Sequence, residues 1–263
     1  MACPMDADDV STLLCWASQN AESVVPRGAG TGMPGGNVGR GIVMDISEHF
    51  QAVEPLDVGA RTVRVGPGVL AGDVDRAARQ AGLFLPPLPS SADRCTVGGM
   101  VANNAAGART FKYGATRDWV QALEVVTADG NHHKLEGGRS GPPEFTKLHA
   151  QLRAELGDGA PEWPSVLKNS SGYALDRFLP EADAVHLIVG SEGTIAVVTS
   201  VTLKLAPLPE EQAVALIVVR NLLELPILLE WARDHQASAC EFFGRRFLEV
   251  ASLTDHALVG EGA

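Results

Sequence analysis

The sequence predicts a mixed α/β fold in two lobes, with a further element beginning near its end. Strand-like apolar runs alternate with helix-like segments along the chain, and glycine-rich turns separate them. The chain has 263 residues, of which 45% are hydrophobic, so it can bury one large core or two smaller ones. We find no internal repeat that would indicate a solenoid.

The first half of the chain contains two predicted helices and three predicted strands. The helices have apolar residues at helical spacing, and the strands are short apolar or alternating runs. The predicted helices cover residues 8–21 and 72–81, and the predicted strands cover 23–25, 41–46 and 61–65.

The second half repeats this alternation. A predicted strand over residues 122–127 precedes the hairpin signal Asp129-Gly130. A helix follows over 144–156, and the apolar runs 184–189 and 194–205 predict buried strands. Beyond a linker at 207–211 we expect a strand over 213–219 and a helix starting near Pro226, where proline is tolerated in a first turn.

Composition excludes several classes of protein. The formal net charge is −11, which argues against nucleic acid because that partner favours a basic surface. The first ten residues carry acids where a signal peptide would carry bases, and charges and a proline interrupt the most apolar stretch, 213–231, so no membrane span is predicted. We therefore expect a soluble, cytoplasmic protein.

Neither the cysteines nor the histidines show metal-ligand spacing. The cysteines form no C-x-x-C pair, so reduced thiols are expected. The adjacent His132 and His133 follow the hairpin signal and are expected to face solvent, and we predict no metal. The cysteines are Cys3, Cys15, Cys95 and Cys240.

The most informative feature is the position of the glycines, because thirteen of the 28 lie in three short segments. In the first, every second residue of the loop after a predicted strand is glycine: Gly28, Gly30 and Gly32. Gly30, Gly32 and Gly35 formally match the Rossmann pattern, but the glycines and proline that follow exclude the helix which that site requires. A Walker A loop is excluded because no glycine precedes a lysine. The segment indicates either a backbone nest for phosphate or an ordinary surface loop.

The second segment, 86–114, combines small residues with hydroxyl and amide side chains. It suits either the close approach of a flat or extended ligand or the tight packing of a buried helix against a sheet. The third segment, 189–195, is a turn between two apolar runs, and a simple β-turn would also explain it.

Together these segments resemble the FAD-binding flavoproteins of the PCMH type, also called the vanillyl-alcohol oxidase type. The glycolate oxidase and D-lactate dehydrogenase branch is the most similar. Four strings occur in the family's order and spacing. They are PRGAGTGMPGG at 26–36, PPLPSS…TVGGMVANNAAG…KYG across 86–114, NSSGYAL at 169–175 and GSEGTIAVVTSVTLKL at 190–205.

The resemblance implies that FAD lies extended between two α/β lobes. Residues 26–32 would hold the pyrophosphate through backbone N–H groups, and residues 190–195 would close over the adenine side. Residues 90–96 and 103–106 would line the pyrophosphate, ribityl and isoalloxazine region, with Tyr113 at the flavin end.

The cofactor-binding residues implied in this way come from all three segments, and no catalytic residue can be assigned. They are Pro26, Arg27, Gly28, Ala29, Gly30, Thr31, Gly32, Ser90, Ser91, Thr96, Gly98, Gly99, Asn103, Asn104, Ala106, Gly107, Tyr113, Gly190, Glu192, Gly193 and Ile195.

Arg27, Arg109 and Lys112 are the candidate charged contacts, although such side chains are more often solvated. Some relatives attach the flavin through a histidine of the first loop. Because the Gly28-Ala29-Gly30 loop contains neither histidine nor cysteine, we predict non-covalent FAD.

The resemblance also sets the expected domains. Residues 1–206 would form the FAD-binding domain, with lobes at about 1–86 and 87–206. Residues 207–263 would begin a substrate-binding cap, because the segment 240–249 resembles its opening helix. The later His-rich segment of that cap is absent, so we expect a truncated or shortened relative.

The expected function is that of the FAD-binding portion of a D-2-hydroxy-acid dehydrogenase or oxidase. The substrate would be glycolate, D-lactate or 2-hydroxyglutarate, with hydride passing from its α-carbon to flavin N5. The electron acceptor would be a quinone, a cytochrome or an iron–sulfur partner, and a partner could attach the protein to the inner membrane. The alternative is a non-catalytic flavin-binding subunit or fragment. A nucleotide-sugar reductase would need an NADPH-linked substrate domain, for which the sequence gives no sign.

Overall fold

The computed structural model describes residues 1–157, 162–166 and 168–252. The chain divides into two compact units, Met1–Leu208 and Pro209–Ala263. The first contains all the sheets of the described residues, and it also contains the three glycine-rich segments.

Ten α-helices are described. They are α1 (Ala7–Gln19), α2 (Ala71–Gln80), α3 (Val97–Ala102), α4 (Thr110–Tyr113), α5 (Thr116–Trp119), α6 (Pro143–Leu156), α7 (Leu175–Glu181), α8 (Ala184–Ile188), α9 (Leu225–Asp234) and α10 (Arg245–Ser252).

Eight strands are described, and they form three sheets. They are β1 (Val24–Arg27), β2 (Ile42–Asp45), β3 (Thr62–Val65), β4 (Leu83–Phe84), β5 (Val120–Thr127), β6 (His132–Glu136), β7 (Ala196–Lys204) and β8 (Ala206–Pro207).

The main sheet is four-stranded and antiparallel, in the order β3-β7-β5-β6. It joins segments from both predicted lobes, 1–86 and 87–206, since β3 of the first pairs with β7 of the second. Strands β1 and β2 form a separate parallel pair, and β4 pairs with β8. The class of fold is therefore the mixed helix and sheet arrangement that the sequence predicts.

Two apolar cores support these sheets. The larger includes Leu123 of β5, Val201 of β7, Val101 of α3 and Ile188 of α8, all with at most 2% exposure. The smaller lies under β1 and β2, where Val10 of α1 packs with residues of β2, β5 and β7. Helix α3 and the end of α8 are thus fixed by the larger core, and the β1–β2 pair is fixed by the smaller.

The prediction of a strand over 184–189 is wrong, because these residues form helix α8 and its C-cap, Val189. A short continuous apolar run fits a buried helix as well as a buried strand. The signal that decides between them precedes the run: the Asp183 carboxylate accepts a hydrogen bond from Val185 N at 2.9 Å and caps the helix.

The prediction of a strand over 213–219 is also wrong within the described residues. This segment pairs with none of the described strands, and the side chains of residues 213–218 are exposed, with Val214 at 99%. A strand forms by hydrogen bonding to a neighbouring strand, and none is available here. The helix expected near Pro226 is present as α9. Whether residues 207–263 begin a cap domain stays a prediction.

Candidate functional site

The first wall of the site is the loop that follows β1. The loop is close to α3: a methyl group on Gly28 would overlap Thr96 Oγ1. Gly30 has a φ of +71°, and a Cβ there would lie 2.7 Å from Nη2 of Arg27. Glycine is needed at both positions, at the first for close approach and at the second also for its backbone conformation.

The second wall is helix α3, which begins beside that loop. Its N-cap is Thr96, whose Oγ1 accepts a hydrogen bond from Gly99 N at 3.2 Å. A Cβ on Gly98 would lie 2.6 Å from the Pro67 Cβ, so a residue without a side chain is required for this packing. The segment therefore forms the tightly packed buried helix considered from its sequence, and it also lines a cavity.

The third wall is the turn 190–193, which follows α8. Its backbone donates two hydrogen bonds to the C-terminal end of α3, from Gly190 N to Val101 O at 3.0 Å and from Glu192 N to Ala102 O at 2.9 Å. The Ala102 carbonyl is one that a helix end would otherwise leave unpaired, whereas the Val101 carbonyl also accepts from Asn104 N at 3.1 Å. Glu192 has a φ of +53°, in the left-handed region that non-glycine residues rarely occupy.

These three walls enclose a cavity of about 310 Å³. Its lining is made mostly of small and apolar residues, among them seven glycines and five alanines, and among the described residues its only charged side chains are Arg27 and Glu192. Cavities of this size hold small molecules in many proteins. A neutral lining rich in N–H groups suits an extended anion, because backbone donors can replace side-chain cations in binding it.

Fifteen of the twenty-one residues expected from the sequence line this cavity. They are Pro26, Arg27, Gly28, Ala29, Gly30, Thr31, Gly32, Ser91, Thr96, Gly98, Gly99, Asn103, Ala106, Glu192 and Gly193. The three glycine-rich segments are therefore brought together in space.

The other six lie outside the lining. Ser90 is exposed, and Gly107 packs against the Leu88 carbonyl. Tyr113 packs edge-on against Phe84, with ring centroids 5.5 Å apart.

Three of the six lie in or behind the walls. Asn104 is buried behind the end of α3, Gly190 is the buried first residue of the third turn, and Ile195 packs on the larger core. Of the other two charged candidates, Arg109 lies over the Phe84 ring at 5.1 Å and Lys112 over the Tyr113 ring at 5.6 Å.

Several lining residues were not expected from the sequence. Ile46 and Pro67 come from segments with no ligand-binding signal, and Val197 follows the third segment in β7, so that packing brings all three here. Cys95 also lines the cavity, and burial raises the pKa of its thiol above the ordinary value. A thiol with a raised pKa is a poor nucleophile because little thiolate is present.

Other kinds of site find no support in the part of the chain that the structure describes. No group of three or more His, Cys, Asp or Glu side chains is arranged to hold a metal ion. No described helix is long and apolar enough to cross a membrane. His132 is exposed, but His133 is only half-buried, since its ring packs against Phe145 at 5.8 Å.

The fold and the cavity define a protein with a site for a small-molecule ligand, and comparison with known proteins names the family. The sequence matches the FAD binding domain family over residues 1–136, about half of the chain. The chain belongs to this family, the PCMH-type FAD-binding domain, and its cofactor is FAD.

Three relatives show how far the similarity extends. The chain is 35% identical to a D-lactate dehydrogenase of Archaeoglobus fulgidus, over 94% of this chain and 48% of the relative. It is 34% identical to the glycolate oxidase subunit GlcD of Bacillus subtilis, over 83% and 39%. It is 32% identical to a D-2-hydroxyglutarate dehydrogenase of Xanthomonas citri pv. viticola, over 95% and 46%. The chain thus spans about half the length of these relatives or less.

Solved structures support the fold. An alkyldihydroxyacetonephosphate synthase superposes with a TM-score of 0.54 and 21% identity, over 80% of this chain and 32% of that one. A 6-hydroxy-D-nicotine oxidase of Arthrobacter nicotinovorans gives a TM-score of 0.54 and 21% identity, over 78% and 36%. At this identity the likeness establishes the architecture alone.

The site fits FAD in its donor chemistry. Free N–H groups of the first loop face a cavity in which a methyl group on Gly32 would meet no atom closer than Asn103 Oδ1, at 4.0 Å. The space beside this glycine is therefore available to a ligand.

Two glycine substitutions should separate the packing role of the first loop from its lining role. We expect Gly28→Ala to lower the free energy of unfolding of the apoprotein by about 1–3 kcal/mol, because the methyl group displaces Thr96 and weakens the α3 cap. Gly32→Ala should change it by less than about 0.5 kcal/mol. Urea unfolding followed by circular dichroism measures both, and equal losses in the two variants would contradict the packing described here.

Proposed function

We propose that this chain is the FAD-binding portion of a D-2-hydroxy-acid dehydrogenase or oxidase. The observation that carries the proposal is its 32–35% identity to three relatives over most of its own length. The names of these relatives differ in the substrate but share one chemical class, since glycolate, lactate and 2-hydroxyglutarate are all 2-hydroxy acids. When bound, FAD supplies the acceptor for a hydride from the substrate α-carbon.

The two charged side chains of the lining suggest how the dinucleotide is oriented. Arg27 and the N–H groups of residues 28–32 would hold the pyrophosphate, because this is the cationic part of the lining. Glu192 would repel phosphate, but a carboxylate accepts hydrogen bonds from ribose hydroxyls. Glu192 would therefore lie beside the adenosine ribose, and residues 190–195 would close over the adenine side.

The isoalloxazine end would then lie along the second segment. Ser91, Thr96, Asn103 and Ala106 offer small or neutral polar side chains that suit a flat, uncharged ring system. Asn104, which is buried behind this wall, would act on the flavin through its neighbours. No described residue is assigned as the base that removes the hydroxyl proton.

A second candidate function is a flavin-binding subunit or fragment that has no substrate site of its own. One observation favours it: the relative from Bacillus subtilis is itself named a subunit. Residues 207–263 would then be the beginning of a cap domain. In either case the electron acceptor would be a quinone, a cytochrome or an iron–sulfur partner, in the cytoplasm or at the inner membrane.

The attachment of FAD should be non-covalent. The first loop has no histidine or cysteine, and the raised pKa of Cys95 disfavours a thioether bond. We expect acid precipitation of the holoprotein to release all the flavin into the supernatant, where its absorption spectrum measures it. Yellow colour that stays with the washed precipitate would contradict this.

The first loop should bind FAD through its close approach to the ligand. We expect Gly32→Ala to weaken FAD binding by at least about tenfold, because the methyl group occupies the space left for the ligand. Quenching of flavin fluorescence on titration measures the affinity. Gly59→Ala is the matched control: it lies outside this cavity, and its methyl group would make an ordinary contact with Asp57 Oδ1 at 3.4 Å. Equal affinities of the two variants would refute a role for the loop.

The two candidate functions differ in whether the FAD-loaded chain, without a partner, can oxidise a 2-hydroxy acid. If it carries a working site, anaerobic mixing of the FAD-loaded protein with D-lactate, glycolate or D-2-hydroxyglutarate should bleach the visible flavin band. L-Lactate is the control and should leave the band unchanged. A band that persists with every acid but is bleached by dithionite would favour the flavin-binding subunit.

A further inference from the structure

A buried arginine that the sequence did not single out lies behind two walls of the cavity. Arg117 is in α5, and only 9% of it is exposed. Its backbone N donates to Asn104 Oδ1 at 2.9 Å, and its Nη2 donates to Val189 O at 2.7 Å. The guanidinium lies directly under the third turn, because a Cβ on Gly190 would be 3.0 Å from Nη2.

Both residues that Arg117 holds lie next to lining residues. Asn104 lies between Asn103 and Ala105, and Val189 lies between Ile188 and the turn that begins the third wall. Asn104 is 2% exposed and has a φ of +44°, so the surrounding contacts must hold it in the left-handed region. Arg117 therefore fixes the end of α3 and the start of the turn at the same time.

The charge of Arg117 is not neutralised by a nearby carboxylate. No Asp or Glu oxygen of the described residues lies within 4.0 Å of its guanidinium, and its buried Nε has no hydrogen-bond partner there. Burial lowers the pKa of Arg117, and the carboxylates of Asp176 and Asp118 act in the opposite direction. Arginine nevertheless stays protonated at neutral pH.

An unpaired buried cation is costly to the folded protein, so its retention calls for a compensating role. In the proposed placement, the cavity beside it would hold a doubly charged pyrophosphate, and among the described lining residues Arg27 is the only cation. Coulomb attraction is not confined to contact distance, so a charge behind a wall acts on a ligand that it does not touch.

We propose that Arg117 is a positioning residue of the FAD site. It clamps the third turn against α3, and it supplies a buried positive charge that favours the pyrophosphate. This proposal rests on the proposed placement of the dinucleotide in the cavity. It does not require Arg117 to contact the cofactor.

The test compares three variants for binding of FAD, ADP and adenosine. Arg117→Met removes the charge and the clamp, and we expect it to weaken FAD and ADP binding by more than about tenfold, or about 1.4 kcal/mol. Arg117→Lys keeps the charge and should restore ADP binding to within about threefold of wild type. Arg139→Met is the matched control: the Arg139 side chain is 74% exposed and lies outside the cavity lining, so we expect both affinities to stay unchanged.

Adenosine separates a charge effect from a general disturbance, since it has no phosphate. We expect Arg117→Met to weaken ADP binding several-fold more than adenosine binding, because loss of the clamp affects both ligands and loss of the charge affects ADP alone. Unchanged FAD affinity in Arg117→Met would overturn the proposal, and so would equal losses for ADP and adenosine that Lys does not rescue. Wild-type protein that binds neither FAD nor ADP would instead refute the proposed placement of the dinucleotide.

A second variant keeps the test decisive if Arg117→Met does not fold. Asn104→Asp has nearly the same shape and retains an oxygen that can accept from Arg117 N, but it adds a negative charge beside the guanidinium. We expect it to weaken ADP binding by about tenfold, with adenosine binding little changed. ADP affinity equal to wild type in this variant would overturn the role of the charge.

Discussion

The cavity depends on the attachment of the 190–193 turn to the C-terminal end of α3. Two backbone hydrogen bonds join them, and one of them pairs the Ala102 carbonyl, which α3 cannot pair within itself. Helix α3 is six residues long and contains two glycines, so its own propensity cannot maintain it. The helix, the turn and the cavity between them are consequently one cooperative feature, and each is stable only in the presence of the others.

The protein binds an anion without a basic surface. It carries a net charge of −11, and the cavity lining has one cation and one anion. In the proposed placement, backbone N–H groups would solve this problem, because they are partial charges fixed in direction and glycine lets them approach the ligand closely. A surface rich in lysine would bind phosphate less selectively and would also attract nucleic acid.

The sequence predicted the parts of the site that depend on backbone chemistry. Glycines at 28, 30 and 32 signal a loop without side chains, and the structure places that loop on the cavity. The sequence did not predict that Ile46 and Val197 line the cavity, because they reach the lining only through tertiary packing. Arg117 was overlooked because its neighbours in the sequence are polar, and nothing local shows that its guanidinium is buried. The prediction of a strand over 184–189 was wrong for a related reason. Burial on all sides removes the periodicity that distinguishes a helix from a strand.

The exposed segment 213–219 affects how this chain behaves in solution. It is a run of seven apolar residues without a charge, a proline or a glycine, and four of them are β-branched. Val214 is 99% exposed and Leu216 72%. Such a run is a template for intermolecular β-pairing, so the isolated chain should self-associate as its concentration rises. A charged residue placed within the run would act as a gatekeeper and keep the protein dispersed.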